Sequence, residues 1–313
     1  MDVSIVIRTY NEQRHLPELL SSIQEQKTDL SYEIVIVDSG STDGTLDIAK
    51  SFHCVIQRIS KAEFTFGRSL NIGCRAARGE ILVFISGHCV PCECDWLSRL
   101  VEPVGSGLAE YSYGRQVGRN GTKFSELQVF SKYFPDFSRV PQDGFYCNNA
   151  NASLSRAAWQ TFGFDESLTG LEDLKMAKSI AGSGGAIAYV AEAPVFHIHD
   201  ETWHQVRIRY EREALALREI MPEVHVGFFD FVRYFVGGVA HDFGVAWQEK
   251  VLARHAFGIV AFRWMQFWGT YRGNMEHRQL SARQKEEFFY PKPRRRRDRG
   301  ASACGASTYE GSQ

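Results

Sequence analysis

Ser86-Gly87-His88 is the first place in the chain where residue types and position together suggest chemistry. It directly follows Ile81-Leu-Val-Phe-Ile85, a short unbroken apolar run of the kind a strand shows when covered on both faces. Pro91 then forbids a further strand bond. In open α/β sheets ligands bind just past the carboxyl ends of strands, and an imidazole there can ligate a divalent cation. Other polar stretches end strands or open helices: Thr9-Tyr-Asn-Glu12, Asp38-Ser-Gly-Ser-Thr-Asp-Gly44, Glu172-Asp173 and His197-Ile-His199. Each has a plain reading. Asp38 and Asp43 suit turn and N-cap chemistry, and Glu172-Asp173 suits the dipole of a helix beginning near Leu174. Arg68 suits a solvated helix start and His88 a local bond in its turn. His197 and His199 are two apart after a strand, and only one of them is expected to face a site.

The elements that must position these residues alternate. Strands are expected over 3–8, 33–37, 55–59 and 81–85, with helices at Leu16, Leu19, Leu20 and Ile23, over 45–50, and over 69–77. That pattern implies right-handed βαβ units and a parallel sheet with its polar loops on one edge. Residues 93–142 are less periodic: a helix around Trp96, Leu97 and Leu100, then a glycine-rich, turn-like stretch over 105–121. A strand over 145–154 should enter a helix at Ser155. A loop and helix follow over 168–180, then a short strand over 186–190 and a charged helix over 205–221. Asn148, Asn149 and Asn151 are turn residues or line a second ligand's side.

From about 226 to 275, Phe229, Trp247, Phe257 and many other aromatics interleave with Arg233, Lys250, Arg254 and Arg263. Two helices with aromatic faces and basic flanks are expected, packed on the sheet or on a second subunit, or docked at a membrane surface. Lys292-Pro-Arg-Arg-Arg-Arg-Asp-Arg299 opens a tail over 291–313 expected to be disordered, with possible attraction to anionic lipid. The division is thus 1–222, 223–290 and 291–313.

Bulk properties narrow the class. With 313 residues, 44% hydrophobic and 23% charged, the chain can bury a sizeable core. A formal net charge of -1 gives no case for nucleic acid. The start has no signal-peptide pattern, and no apolar run approaches the roughly 18 residues of a membrane span. The seven cysteines form no regular framework, which indicates reduced thiols in a cytoplasmic protein. Cys89-Val-Pro-Cys-Glu-Cys94 is too tightly spaced for the usual zinc knuckle.

Ser4-Ile-Val-Ile-Arg-Thr-Tyr-Asn-Glu12 and Ile34-Val-Ile-Val-Asp-Ser-Gly-Ser-Thr-Asp-Gly-Thr45 together resemble the nucleotide-sugar half of family 2 glycosyltransferases. Asn71-Ile-Gly-Cys-Arg-Ala-Ala-Arg-Gly-Glu80, Ser86-Gly87-His88, Gly170-Leu-Glu-Asp173 and His197-Ile-His199 extend the resemblance over residues 3–215. Phe66-Gly-Arg-Ser-Leu-Asn71 and the late His-x-His bring it nearest to rhamnosyltransferase-like bacterial members. It implies a GT-A fold: a Rossmann-like, mostly parallel sheet flanked by helices, here with a C-terminal helical extension.

By that resemblance Thr9, Asn11, Glu12, Asp38, Ser39, Arg68, Ser86 and Gly87 bind the donor. Asp38 would meet the nucleoside and Arg68 the diphosphate. Asp173 matches the base that takes a proton from the acceptor hydroxyl, and Glu172 would orient the acceptor. The family commonly holds Mn2+ or Mg2+ with an acidic Asp-x-Asp turn. Here Ser86-Gly87-His88 replaces it, so either His88 and His199 hold the cation or metal dependence is weakened. The implied activity is inverting transfer from a nucleoside-diphosphate sugar to a hydroxyl of a glycan or lipid-linked acceptor, in surface polysaccharide synthesis. The place would be the cytoplasm or the inner membrane face, and a homo-oligomer is possible. The missing acidic turn motivates an alternative, a catalytically silent nucleotide-sugar-binding or scaffold subunit. A dinucleotide enzyme is disfavoured because no Gly-x-Gly-x-x-Gly follows the first strand.

Overall fold

A computed structural model describes residues 1–275 and 287–291. The first part alternates as expected: β1 (Val3–Thr9), α1 (Leu16–Gln24), β2 (Tyr32–Asp38), α2 (Thr45–Ser51), β3 (Val55–Arg58), α3 (Phe66–Ala76) and β4 (Ile81–Ser86). β1 pairs in parallel with β2 and β4, setting Thr9 beside Asp38 and Arg8 beside Ser86. Three strand ends therefore meet on one edge.

The rest is β5 (Cys89–Pro91), α4 (Trp96–Gly105), β6 (Tyr111–Val117), α5 (Phe124–Tyr133), β7 (Asn151–Ser155), α6 (Arg156–Phe162), α7 (Glu172–Gly182), β8 (Ile187–His197) and α8 (Trp203–Ile220). The single sheet runs β3-β2-β1-β4-β7-β6-β8-β5. Here the structure corrects several expectations. The run over 105–121 is not merely turns, because it carries the buried strand β6. The strand expected over 145–154 begins only at Asn151, since residues 148 to 150 form the turn that leads in. β8 is longer than expected and reaches His197. The chain does not stop at His88: after the Gly87-His88 turn it resumes as β5, antiparallel to β8 at the sheet edge. Pro91 is tolerated there as the last residue of an edge strand. β4–β7, β6–β7 and β5–β8 are antiparallel, so the sheet is mixed beyond β4.

Alternation along the strands builds two cores. Val6, Val35, Val37 and Phe84 face α3, α6 and α7, whereas Ile5, Ile7, Ile36 and Ile85 face α1 and α4. The C-terminal helices α9 (Phe228–Gln248) and α10 (Leu252–Met275) form an antiparallel pair. They pack not on the sheet but on other helices, α10 on α8 and both on α5. Gly269 and Gly273 permit this closeness: a Cβ on either would come within 2.4 Å and 2.3 Å of the α8 carbonyls of Arg207 and Glu211. Buried Arg263 joins α10 to buried Asp242 on α9 through two 2.7 Å bonds. Of the tail expected over 291–313, Pro291 is described and its carbonyl is bonded by Gln205, and the rest lies outside the described residues.

Asn71 ties α3 to the segment that leads into α7. Its amide bonds the Phe164 carbonyl and Glu166, and its carbonyl takes the Phe164 amide and the Trp159 indole, all at 2.9–3.0 Å. We predict that Asn71→Ala lowers unfolding free energy by about 2–3 kcal/mol, because it strands buried polar partners. Urea titration checks this; a loss below about 0.5 kcal/mol, the size of a neutral surface change, would contradict it.

Candidate active site

The two N-terminal motifs lock onto one another. Asn11 and Glu12 donate their amides to Ser41 and Thr45 at 2.8 Å, and Asn11 accepts from the Thr42 amide at 2.8 Å. Asn11 takes a left-handed backbone, φ 57, which asparagine tolerates well. Asp38 is buried at the end of β2. Its Oδ1 accepts the Gly40 and Ser41 amides at 3.0 and 2.9 Å, and its Oδ2 accepts the Ser41 and Thr9 hydroxyls. Four donors therefore already hold this carboxylate, so a ligand can reach it only by displacing a hydroxyl. Asp43 bonds Thr45 and the Gln13 amide and acts as a turn residue.

A cleft of about 510 Å³ opens at these strand ends. Thr9, Asn11, Glu12, Ser39, Ser86, Gly87 and His88 line it, which brings seven of the residues expected from sequence to one place. Gly87 is needed for that closeness, since a Cβ there would lie 2.9 Å from the Glu12 side chain. Arg68 is not brought in: it stands half exposed on the first turn of α3, 3.5 Å from Glu63. The cation in the cleft is Arg8, at the end of β1. Strand position next to Ser86 was the signal that could have found it.

Arg8 donates to Glu172 at 3.1 Å and packs 5.0 Å from the Phe66 ring centroid. This links the cleft to Glu172 and Asp173, which are both buried at the start of α7. That helix opens from Leu171 with φ 56 and ψ 30, a strained conformation costing about 1–3 kcal/mol for a non-glycine residue. Asp173 accepts the amides of Asn149 at 2.8 Å and Leu174 at 2.7 Å. Burial first, and then the neighbouring Glu172 charge, push its carboxyl up to about 7. Asp173 is not among the residues that line the cleft. Of the three asparagines, Asn149 holds Asp173, while Asn151 is fully buried and braces Trp96, Arg115 and Ala193.

The histidines converge, which corrects the expectation that only one of them faces the site. β8 reaches His197, and residues two apart in extended chain share a side, so both rings fall together. Ring centroids of His197 and His199 are 4.0 Å apart, and His88 lies 5.2 and 5.9 Å from them. One nitrogen from each can lie within 4.8 Å of the others. Each ring engages an acceptor through Nδ1: Glu12 for His88 at 3.0 Å, Gln116 for His197 at 2.6 Å and Glu126 for His199 at 2.7 Å. Such bonds fix the tautomer and leave Nε2 for an ion. The donor set therefore fits a divalent cation, with His197 as the ligand sequence reasoning left aside. Burial works against charge on His88, but the hydrogen bond and charge of Glu12 carry its pKa above the ordinary value. Burial, then His199 and His88, push His197 well below its own. Burial would raise Glu126, yet His199 and Arg209 bring it down to about 2. A second grouping, Glu126, His199 and Glu201, shares one histidine with the first. No cysteine joins either group among the described residues; Cys89 is buried and Cys94 exposed.

Comparison with known proteins agrees with the geometry. The family model "Glycosyl transferase family 2" matches residues 4–161, half of the chain. The O-antigen chain rhamnosyltransferase RfbN of Salmonella typhimurium is 26% identical over 224 residues, covering 67% of this chain and 70% of RfbN. WbaN of Salmonella anatum, also an O-antigen chain rhamnosyltransferase, is 27% identical over 221 residues, covering 66% and 69%. Among solved structures, the mannosyltransferase PcManGT of Pyrobaculum calidifontis, in complex with GDP-Man and Mn2+, superposes with a TM-score of 0.57. It is 18% identical and covers 93% of this chain and 88% of its own. At that identity the likeness bears on the fold, and the fold is the expected GT-A arrangement. The chain belongs to glycosyl transferase family 2.

Proposed function

We propose that this glycosyltransferase inverts the anomeric centre as it moves a sugar from a nucleoside diphosphate to a hydroxyl of a glycan or lipid-linked acceptor, in surface polysaccharide synthesis. The observation that carries the reading is the Arg8–Glu172 bond, which couples a nucleotide-sized cleft to a buried acidic pair. Thr9, Asn11, Glu12, Ser39 and the Asp38 turn would frame the nucleoside, and Ser86-Gly87 would sit against the diphosphate. Arg8 supplies the cation that Arg68 does not. Asp173 takes the acceptor proton as the acceptor oxygen attacks the anomeric carbon. Attack from the side opposite the leaving diphosphate is what inverts that carbon. Glu172, held by Arg8, keeps the local charge balanced.

His88, His197 and His199 would hold a divalent cation, which supplies charge neutralisation for the departing diphosphate. Three neutral nitrogens suit a borderline cation better than the oxygen-rich sites that magnesium prefers. Exposed Phe229, Trp247 and Phe257 on α9 and α10, with Arg233, Lys250 and Arg254, support seating on an anionic membrane surface where a lipid-linked acceptor would reside. No helix among the described residues is long and apolar enough to cross a membrane.

Three measurements test this. The base must be ionised to act, so kcat/KM should rise with pH through about 7 and level above it. Asp173→Asn should cost about a hundredfold or more in kcat, and a flat profile or an active Asn variant would remove Asp173 from the role. In thermal-shift titrations with nucleoside diphosphates, stabilisation should grow with ligand concentration and grow further with Mn2+. His88→Ala and His199→Ala should each abolish the metal increment, and its absence in the parent chain would defeat the triad as a metal site. Finally, the chain should sediment with vesicles rich in anionic lipid and not with zwitterionic ones. Phe229→Glu with Phe257→Glu should release it, whereas unaltered sedimentation, or a dimer on gel filtration that these changes split, would refute the membrane seat.

A further inference from the structure

One wall of the cleft comes from an unexpected part of the chain. Phe289, Tyr290 and Pro291, far from the family-matched region, line the same space as Thr9 and Ser39. The strap is well anchored. Phe288 is buried, its carbonyl accepts Arg212 at 3.1 Å, and the Pro291 carbonyl accepts Gln205 at 3.0 Å, both donors being on α8. The Phe289 ring packs 5.5 and 5.6 Å from Phe64 and Phe66. Tyr290 lies 4.7 Å from Tyr10 and 5.5 Å from Phe64. The Lys61 ammonium sits 4.3 Å from the Tyr10 centroid and 5.5 Å from that of Tyr290. The Tyr290 hydroxyl is buried in the neighbourhood of Ser39 and Asp38.

Aromatic rings with an ammonium beside them suit a flat, electron-rich heterocycle. We propose that Tyr290 is a specificity-determining residue of the donor site: with Tyr10 and Lys61 it forms the wall against which the donor's base and ribose are read. Its ring offers apolar surface and a π face to the base. This rests on the reading of the cleft as the donor site and adds the residue that discriminates among nucleosides. Because Arg212 and Gln205 fix the strap to α8, that discrimination is built by the C-terminal end of the chain, although the backbone motifs for the nucleotide lie at the N-terminal end.

Calorimetric titration of the full chain with UDP, dTDP and GDP, with Mn2+ present, tests the assignment. For the preferred nucleotide, Tyr290→Ala should weaken binding about tenfold, in the range found for loss of one stacked aromatic. The spread among the three nucleotides should narrow. Tyr290→Phe, which keeps the ring, should keep most of the affinity. Tyr290→Leu fills the wall without a π face, so it should fall with Tyr290→Ala, and it guards against a wall that merely collapses. The KM for the acceptor should stay unchanged in each. Parent-chain binding that Tyr290→Ala and Tyr290→Leu leave unaltered overturns the assignment alone. So does tighter binding, which would mean that the ring stands where the base belongs. A folded parent chain that binds none of the three overturns the donor reading itself, and the role of Tyr290 with it.

Discussion

The contact on which the site depends is the bond between Arg8, near the start of the family-matched region, and Glu172, just beyond its end. Arg8 is only partly exposed and Glu172 nearly buried, so neither charge is well hydrated alone. Removing either partner would leave the other stranded in a poorly solvated place. The pair therefore holds the end of β1 and the start of α7 at a fixed separation. It also brings a positive charge to a cleft whose other ionisable groups include Glu12 and His88. The strained Leu171 immediately before Glu172 fits that picture, since a backbone held out of its preferred region needs surrounding structure to keep it there.

Much of the N-terminal half was legible because local and global signals agree there. Continuous apolar strands, helical spacing of Leu16, Leu19, Leu20 and Ile23, and polar strand ends all point to one edge of one sheet. Legibility falls beyond β4, where the sheet becomes mixed. β6 was hidden because Tyr111-Ser-Tyr-Gly-Arg-Gln-Val117 mixes polar residues with a glycine, and Ser112 and Gln116 are buried by side-chain bonding rather than by apolarity. His197 was set aside although the spacing favoured it: in extended chain, residues two apart share a face, and the two rings do lie together. Arg68 drew notice through its motif, yet strand register, not motif, put Arg8 in the cleft. The strap could not be found from local pattern at all, since Phe289 and Tyr290 gain their meaning only from contacts with Phe64, Phe66 and Tyr10.

The turn at Ser86-Gly87-His88 lacks the carboxylates that the sequence resemblance would place there. An acidic turn would bring oxygen ligands and negative charge. Here three imidazoles converge instead, and the negative charge sits one bond further out, on Glu12 and Glu126. That outer shell orients the rings and supplies basicity to them. Arg209 also grips Glu126 at 2.7 Å, and so connects the imidazole cluster to α8.

Helix α8 is thus a shared rail. It carries Arg209 toward the histidines, Gln205 and Arg212 toward the strap, and its far surface receives α10 across Gly269 and Gly273. The seam is tight at these two glycines, where the α10 backbone lies directly against α8 carbonyls. A methyl group added at either glycine would have to displace the rail or the helix lying on it. Mechanical disturbance at the outermost layer of the protein would therefore reach both poles of the cleft at once, although no residue of α10 lines it.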